Sequence, residues 1–248
     1  PRTPGKRISA SDVRKCVLPT TKLMFLTDFH NPSGVQFSKE ELMTIVETAV
    51  DVSPSVKIVV DEIYLDFIPD RRPPSYKLHP SIITVSSLTK VYGLSILRCG
   101  WIFAQPDVLQ PLRDRQVLIS GIGSRYLESL SVQVFDNLSE FWELSKNHVT
   151  QNKQIFREII EPLIESGQLA GEVAEYGCVS FLKLSGVKKS REFVEYLDEN
   201  YDVLTVPGEF FGAPDYIRMG IGEITATKLR VALKRFKEAI ATYPGFDQ

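Results

Sequence analysis

The chain reads as an α/β protein built on a mostly parallel sheet, followed by a second and smaller α+β domain. Three observations predict this. Short apolar runs alternate with helical patterns through the first half, the signature of parallel strands joined by crossover helices. Beyond about residue 165 the texture changes to strand, helix, strand, strand, helix. Finally, 248 residues with 43% hydrophobic and 24% charged content are enough for one or two domains with true cores. The boundary is expected at 145/146, giving domains of 1–145 and 146–248.

Taken in order, residues 1–20 are polar and punctuated by proline, with a short helix over 10–16. "KLMFLTDF" (22–29) is a strand that ends in the turn "HNPSG" (30–34), where Asn-Pro and Ser-Gly both break regular structure. Ser38 opens a helix with S-x-x-E spacing to Glu41, a capping box, and apolar residues follow at 42, 45, 46 and 49. "VKIVV" (56–60) is a strand running into "DEIY", "SIITVSS" (81–87) a third and "CGWIFA" (99–104) a fourth. Pro106 and Asp107 start a helical region that continues to about 165 with a break at "SGIGS" (120–124). In the second domain "CVSFLKL" (178–184), "DVLTVPG" (202–208) and "DYIRMGIG" (215–222) are strands. "SREFVEYLDEN" (190–200) is a helix, and a last helix capped by Thr225 or Thr227 runs to about Tyr243.

Composition narrows the partners. With 29 basic against 31 acidic residues, a formal net charge of −2 offers no electrostatic footprint for nucleic acid or an anionic membrane surface. A small molecule is the expected partner. Cys16, Cys99 and Cys178 make no CxxC spacing, so neither a disulfide framework nor a cysteine metal site is indicated, and a reducing cytoplasm is the default. No apolar stretch approaches the length of a bilayer span.

In open α/β sheets ligands bind beyond the carboxyl ends of the strands, and this chain places a polar group at each. Asn31 follows the first strand, Asp61 and Tyr64 the second, and Ser87, Thr89 and Lys90 the third, while Arg98 precedes the fourth. Singly, each has a plain reading: a turn, a surface lysine, a salt-bridge arginine, half-buried tyrosines. Asp61-Glu62 could close a nucleotide-binding strand, but no G-x-x-x-x-G-K-[ST] loop is present. Together they meet one demand. A lysine that attacks a carbonyl needs desolvation or neighbouring positive charge to be neutral, and hydroxyls with an arginine fork suit phosphate oxygens.

The run Ser87-Leu88-Thr89-Lys90-Val91-Tyr92-Gly93, continued by Arg98-Cys99-Gly100, resembles the S-x-[ST]-K-x-[FY]-G-x-x-x-x-R-x-G motif of the fold-type I, class I/II aminotransferases, typified by aspartate aminotransferase. "NPSG" (31–34) and "DEIY" (61–64) are similar to its N-P-x-G and D-x-x-Y elements, and "YIRMGIG" (216–222) to its C-terminal arginine segment. The resemblance covers about residues 20–240. It implies pyridoxal 5'-phosphate (PLP) as cofactor, with 1–145 the remainder of the large PLP-binding domain and 146–248 the small domain. By the same resemblance Lys90 forms the internal aldimine and shuttles the proton. Asp61 faces the pyridine nitrogen, Asn31 and Tyr64 the ring hydroxyl, Ser87, Thr89 and Arg98 the phosphate, and Arg218 the substrate α-carboxylate.

The implied activity is transfer of an amino group between an amino acid and a 2-oxo acid, by a homodimer. A PLP lyase or decarboxylase on the same scaffold, or a non-catalytic effector domain, are the alternatives. Arg125 is left between a solvated arginine and a reader of a distal charge. Family members carry a long segment before the N-P-x-G element that twenty-one residues before Lys22 cannot hold. The expectation is therefore a piece of a longer protein, with exposed strand edges, an uncovered apolar face and weak cofactor binding.

Overall fold

The computed structural model describes residues 7–69, 73–121 and 123–246. Its contacts form two compact units, Arg7–His30 with Gln36–Ser145, and Asn31–Val35 with the chain from Lys146 onward.

The first unit opens with α1 (Ala10–Cys16), started by a reciprocal cap between Ser9 and Asp12. β1 (Leu23–Thr27) leads to α2 (Lys39–Val52), where Ser38 and Glu41 exchange side-chain and backbone hydrogen bonds in the predicted capping box. β2 (Lys57–Asp61), β3 (Ile82–Ser87) and β4 (Gly100–Phe103) complete a sheet of order β1-β2-β3-β4. The first three strands are parallel and β4 is antiparallel to β3. One face packs Leu26, Ile58, Val60 and Ile82 against Val13 of α1 and Leu42, Ile45 and Val46 of α2. The other face packs Val59 and Ile83 against Ala104, Val108 and Leu109, the last two from α3 (Pro106–Ser120). α4 (Arg125–Asp136) follows, and then α5 (Leu138–Glu165), whose first turns lie in this unit.

The second unit continues α5 and adds β5 (Leu169–Ala170), β6 (Val179–Leu184), α6 (Ser190–Tyr201), β7 (Val206–Pro207), β8 (Tyr216–Gly220) and α7 (Ala226–Thr242). Its sheet is antiparallel, of order β5-β6-β8-β7. Phe156, Ile160, Leu182, Phe193, Leu197, Ile217, Leu233 and Phe236 form its core.

The α/β class and the parallel sheet agree with the sequence. The strand expected over 202–208 is reduced to Val206–Pro207, because Asp202 turns left-handed at φ 52° to end α6 and Pro207 has no N–H for a ladder. The helical region breaks a second time at Asn137, whose N–H bonds back to Val134 and Phe135. β5, two residues long, carries no pattern that a sequence reading could detect.

Candidate active site

Parallel pairing sets the register of the strand ends. Asp61, the last residue of β2, lies beside Thr27 of β1 and Val85 of β3. Side chains alternate along a strand, so Asp61 and Ser87, two residues beyond Val85, share one face. Their backbones are separated by one strand spacing and two residues of rise, about 8 Å. Asp61 Oδ1 accepts from the Ile63 N–H at 3.0 Å. Burial pushes its carboxyl up from the ordinary value, against the lowering effect of that hydrogen bond. Tyr64 is buried in the turn that follows, its ring stacked on Phe67 with centroids 6.3 Å apart.

The segment after β3 is pinned from below and open above. Leu88, Val91 and Tyr92 are buried, whereas Thr89 is half-buried and Lys90 exposed. Leu88 donates its N–H to Cys99 O at 3.1 Å and accepts through its carbonyl from Leu94 N at 3.0 Å. Tyr92 donates its hydroxyl to Asp66 Oδ2 at 2.6 Å, and Ser145 Oγ donates to Val91 O. Ser87 Oγ accepts from the Thr89 N–H at 3.1 Å, which leaves the Ser87 hydroxyl hydrogen available to a ligand. Arg98 occupies the left-handed region at φ 49°, ψ 34°, closing the 3₁₀ turn Ser95–Leu97, and its Nη1 donates to Ser95 O at 3.4 Å. A non-glycine residue there costs about 1 kcal/mol or more and persists only where its surroundings impose it, a pattern that concentrates at ligand sites. Gly100 leaves little room for a side chain: a Cβ would stand 3.1 Å from Ser86 O and 3.4 Å from Ser87 Cβ, where β4 closes on β3.

Asn31 and Arg218 belong to the second unit and touch there: Arg218 Nη1 donates to Asn31 Oδ1 at 3.2 Å. Arg218 sits mid-strand on β8 between Phe181 of β6 and Val206 of β7, with its guanidinium carbon 5.5 Å from the Phe211 ring centroid. Ring contact and amide hydrogen bond fix the fork while using one of its five donors among the described contacts, which suits it to an incoming carboxylate.

The structure thus gathers Asp61, Tyr64, Ser87, Thr89, Lys90 and Arg98 at the carboxyl ends of neighbouring strands, and Asn31 with Arg218 on the second unit. The sheet edge does not bury Lys90, contrary to the desolvation that its strand-end position suggested, because the turn buries Leu88, Val91 and Tyr92 and projects the lysine outward. Arg125 is the exposed first residue of α4 and, among the described residues, makes no contact that assigns it a role.

Two acids have roles that the sequence did not assign. Asp28 is fully buried and accepts from the N–H groups of Phe29 (3.1 Å) and Phe37 (2.9 Å), closing the loop that carries Asn31 at both ends. Glu62 is 3% exposed and accepts from both the N–H and the hydroxyl of Ser75. The loop bracketed by two aromatic residues, "DFHNPSGVQF", was the available signal for Asp28; nothing local marks Glu62.

These groups fit PLP. Asp61 carries a carboxyl whose charge is disfavoured by burial, so a protonated ring nitrogen would supply the missing counter-charge. Ser87, Thr89 and Arg98 offer hydroxyls and a guanidinium to the phosphate, and Lys90 an accessible amine.

The profile described as aminotransferase class I and II matches residues 6–236. An aromatic aminotransferase of Arabidopsis thaliana is 25% identical over 229 residues, 90% of this chain and 56% of its own length. Histidinol-phosphate aminotransferase 1 of Idiomarina loihiensis is 29% identical over 216 residues, 84% of this chain and 54% of its own. The chain spans about half the length of such curated relatives. A PLP-dependent aminotransferase from Streptococcus suis superposes with a TM-score of 0.86 at 25% identity, over 98% of this chain and 62% of that one. Aspartate aminotransferase from Thermus thermophilus with maleate has the same fold, at a TM-score of 0.81 and 20% identity over 94% of this chain and 60% of that one. Since the match spans residues 6–236, a range that includes Asn31, Asp61, Lys90, Arg98 and Arg218, the chain belongs to the class I and II aminotransferase family.

Proposed function

We propose that this protein transfers an amino group between an amino acid and a 2-oxo acid, using PLP, and that it works as a cytoplasmic homodimer. PLP is the cofactor of the family. The observation that carries the reading is the strand-end register, with Asp61 and Ser87 on one face and Lys90 exposed just beyond. The dimer is supported by apolar side chains left uncovered on α3 and α4, among them Leu118 at 83% and Tyr126 at 73% exposure. A reducing compartment is supported by three free cysteines.

In this reading Lys90 would hold the cofactor through Nζ, and the amine, when free, would carry the proton removed from the substrate Cα. Bound PLP supplies an electron sink for the carbanion at that carbon. Asp61 keeps the ring nitrogen protonated through charge pairing, and Tyr64 with Asn31 hydrogen-bonds the ring hydroxyl. Arg98, Ser87 and Thr89 hold the phosphate against rotation. Arg218 orients the substrate by a bidentate grip on its α-carboxylate, which fixes the Cα–H bond for proton removal.

The test is incubation with PLP, desalting, borohydride reduction and peptide mapping, alongside an amino-transfer assay. The label is expected on Lys90 alone. Lys90→Ala should abolish the label and lower transfer by roughly 10²–10⁴-fold, the contribution of a positioned general base. A stable label on another lysine, with transfer intact in Lys90→Ala, would overturn the assignment.

A further inference from the structure

Two adjacent side chains on α5, outside the motifs, are buried in the second unit although both are polar. Asn152 is fully buried and Lys153 is 7% exposed. Asn152 Nδ2 donates to Ile221 O at 2.8 Å and to Ile224 O at 2.7 Å. Lys153 Nζ donates to Ala174 O at 2.9 Å and to Tyr176 O at 3.3 Å. Burial lowers the Lys153 ammonium to about 8; Arg157, one turn along, lowers it further and Cys178 opposes. Burying a lysine costs several kcal/mol unless its donors are used, and an apolar residue would fill the same helix position without that cost.

The four carbonyls lie in two segments at the same end of one strand pair. β6 and β8 pair from Val179↔Gly220 to Phe181↔Arg218, and Ile221 N–H donates to Cys178 O at 2.8 Å just past the end of that ladder. Lys153 therefore holds the chain entering β6, and Asn152 the chain leaving β8, with Arg218 three residues before Ile221. The Lys153 segment also seats the turn that carries Arg218's partner. Gly34 has φ 70°, and a Cβ on it would stand 3.0 Å from Ala174 Cβ and 3.4 Å from Val179 O. Asn31, three residues earlier, accepts from Arg218.

We propose that Asn152 and Lys153 are positioning residues for Arg218. From α5 they fix both the chain that leaves β8 three residues beyond Arg218 and the segment on which its Asn31 partner rests. This rests on the reading of Arg218 as the group that binds the substrate carboxylate. A misplacement of about 1 Å at such a fork is enough to cost one or two orders of magnitude in function.

A double-mutant cycle tests it, with binding of 2-oxoglutarate to the PLP-loaded full chain measured by calorimetry and thermal melting recorded in parallel. Arg218→Ala is expected to weaken binding roughly 100-fold and Lys153→Met roughly tenfold. In the Arg218→Ala background, Lys153→Met should have no further effect on affinity, since it acts only through the lost guanidinium. Additive losses, or a lower melting temperature with unchanged affinity, would show a purely structural lysine and overturn the proposal. Wild-type affinity in Arg218→Ala would instead overturn the carboxylate reading itself, and the proposal with it. If Lys153→Met does not fold, the cycle is run with Lys153→Gln, which keeps a shorter donor, and the same absence of a further effect in the Arg218→Ala background is expected.

Discussion

Neighbouring acids at the end of β2 have separate fates. Asp61 stays on the strand face shared with Ser87, while Glu62 turns inward onto Ser75. Burial raises Glu62 from 4.5 to about 7; the Ser75 hydrogen bonds oppose this, and Asp66 and Asp61 add their repulsion. A carboxyl raised in the folded state stabilises fully below pH 4.5 and loses that contribution as pH climbs through 7. The interval corresponds to about 3 kcal/mol. Denaturant titrations across pH should show this decline, and Glu62→Gln should flatten it and be the more stable protein at pH 8. A slope that survives in Glu62→Gln would assign it to other groups. Asp61→Asn should behave differently. Because burial already disfavours its charge, the amide should leave the melting temperature unchanged or higher, while amino transfer falls at least roughly 10²-fold. "DEIY" discloses Asp61 through its family motif. It is silent on Glu62, since period-two alternation ends with the strand and the loop alone decides what faces inward.

Elements were legible where a periodic pattern and a cap agree. Ser38 with Glu41 foretold the start of α2 to the residue, and apolar spacing foretold its buried stripe. What escaped depends on distant partners. The Asn31–Arg218 contact joins residues 187 positions apart, and Arg98 takes up its left-handed backbone just before β4 pairs with β3. The glycines of "VPGEFFG" illustrate the same limit. Gly208 needs no positive φ, but a Cβ there would collide with Ala213 O and stand 2.5 Å from Tyr216 O. Ala213 lies in the turn that feeds β8, and Tyr216 is the first residue of that strand. Gly208→Ala should therefore displace that turn and destabilise the second unit by about 3 kcal/mol, at the upper end of overpacking costs. Chemical denaturation measures this, and a loss below about 1 kcal/mol would mean that the turn moves aside freely.

For the molecule as a whole, the parallel sheet is incompletely covered. β1 forms one edge of the order β1-β2-β3-β4, and Leu23 and Phe25, on the face shared with Val59 and Asp61, are 49% and 69% exposed. α3 covers the central strands of that face through Val108 and Leu109, yet Val117, Leu118 and Ile119 near its end lie open. An apolar strand read from sequence looks the same whether its face is covered or bare, because the cover comes from other residues. An edge strand with an exposed aromatic is a template for pairing, and charge on such a strand suppresses it. Sedimentation at increasing concentration should show self-association of this chain. Phe25→Lys should shift it toward monomer without loss of helical content, and Leu118→Glu should do so independently if α3 forms a separate contact. If both variants sediment as the wild type does, association runs through neither surface; if the wild type stays monomeric at all concentrations, the bare face is tolerated in water and the homodimer loses its main physical support.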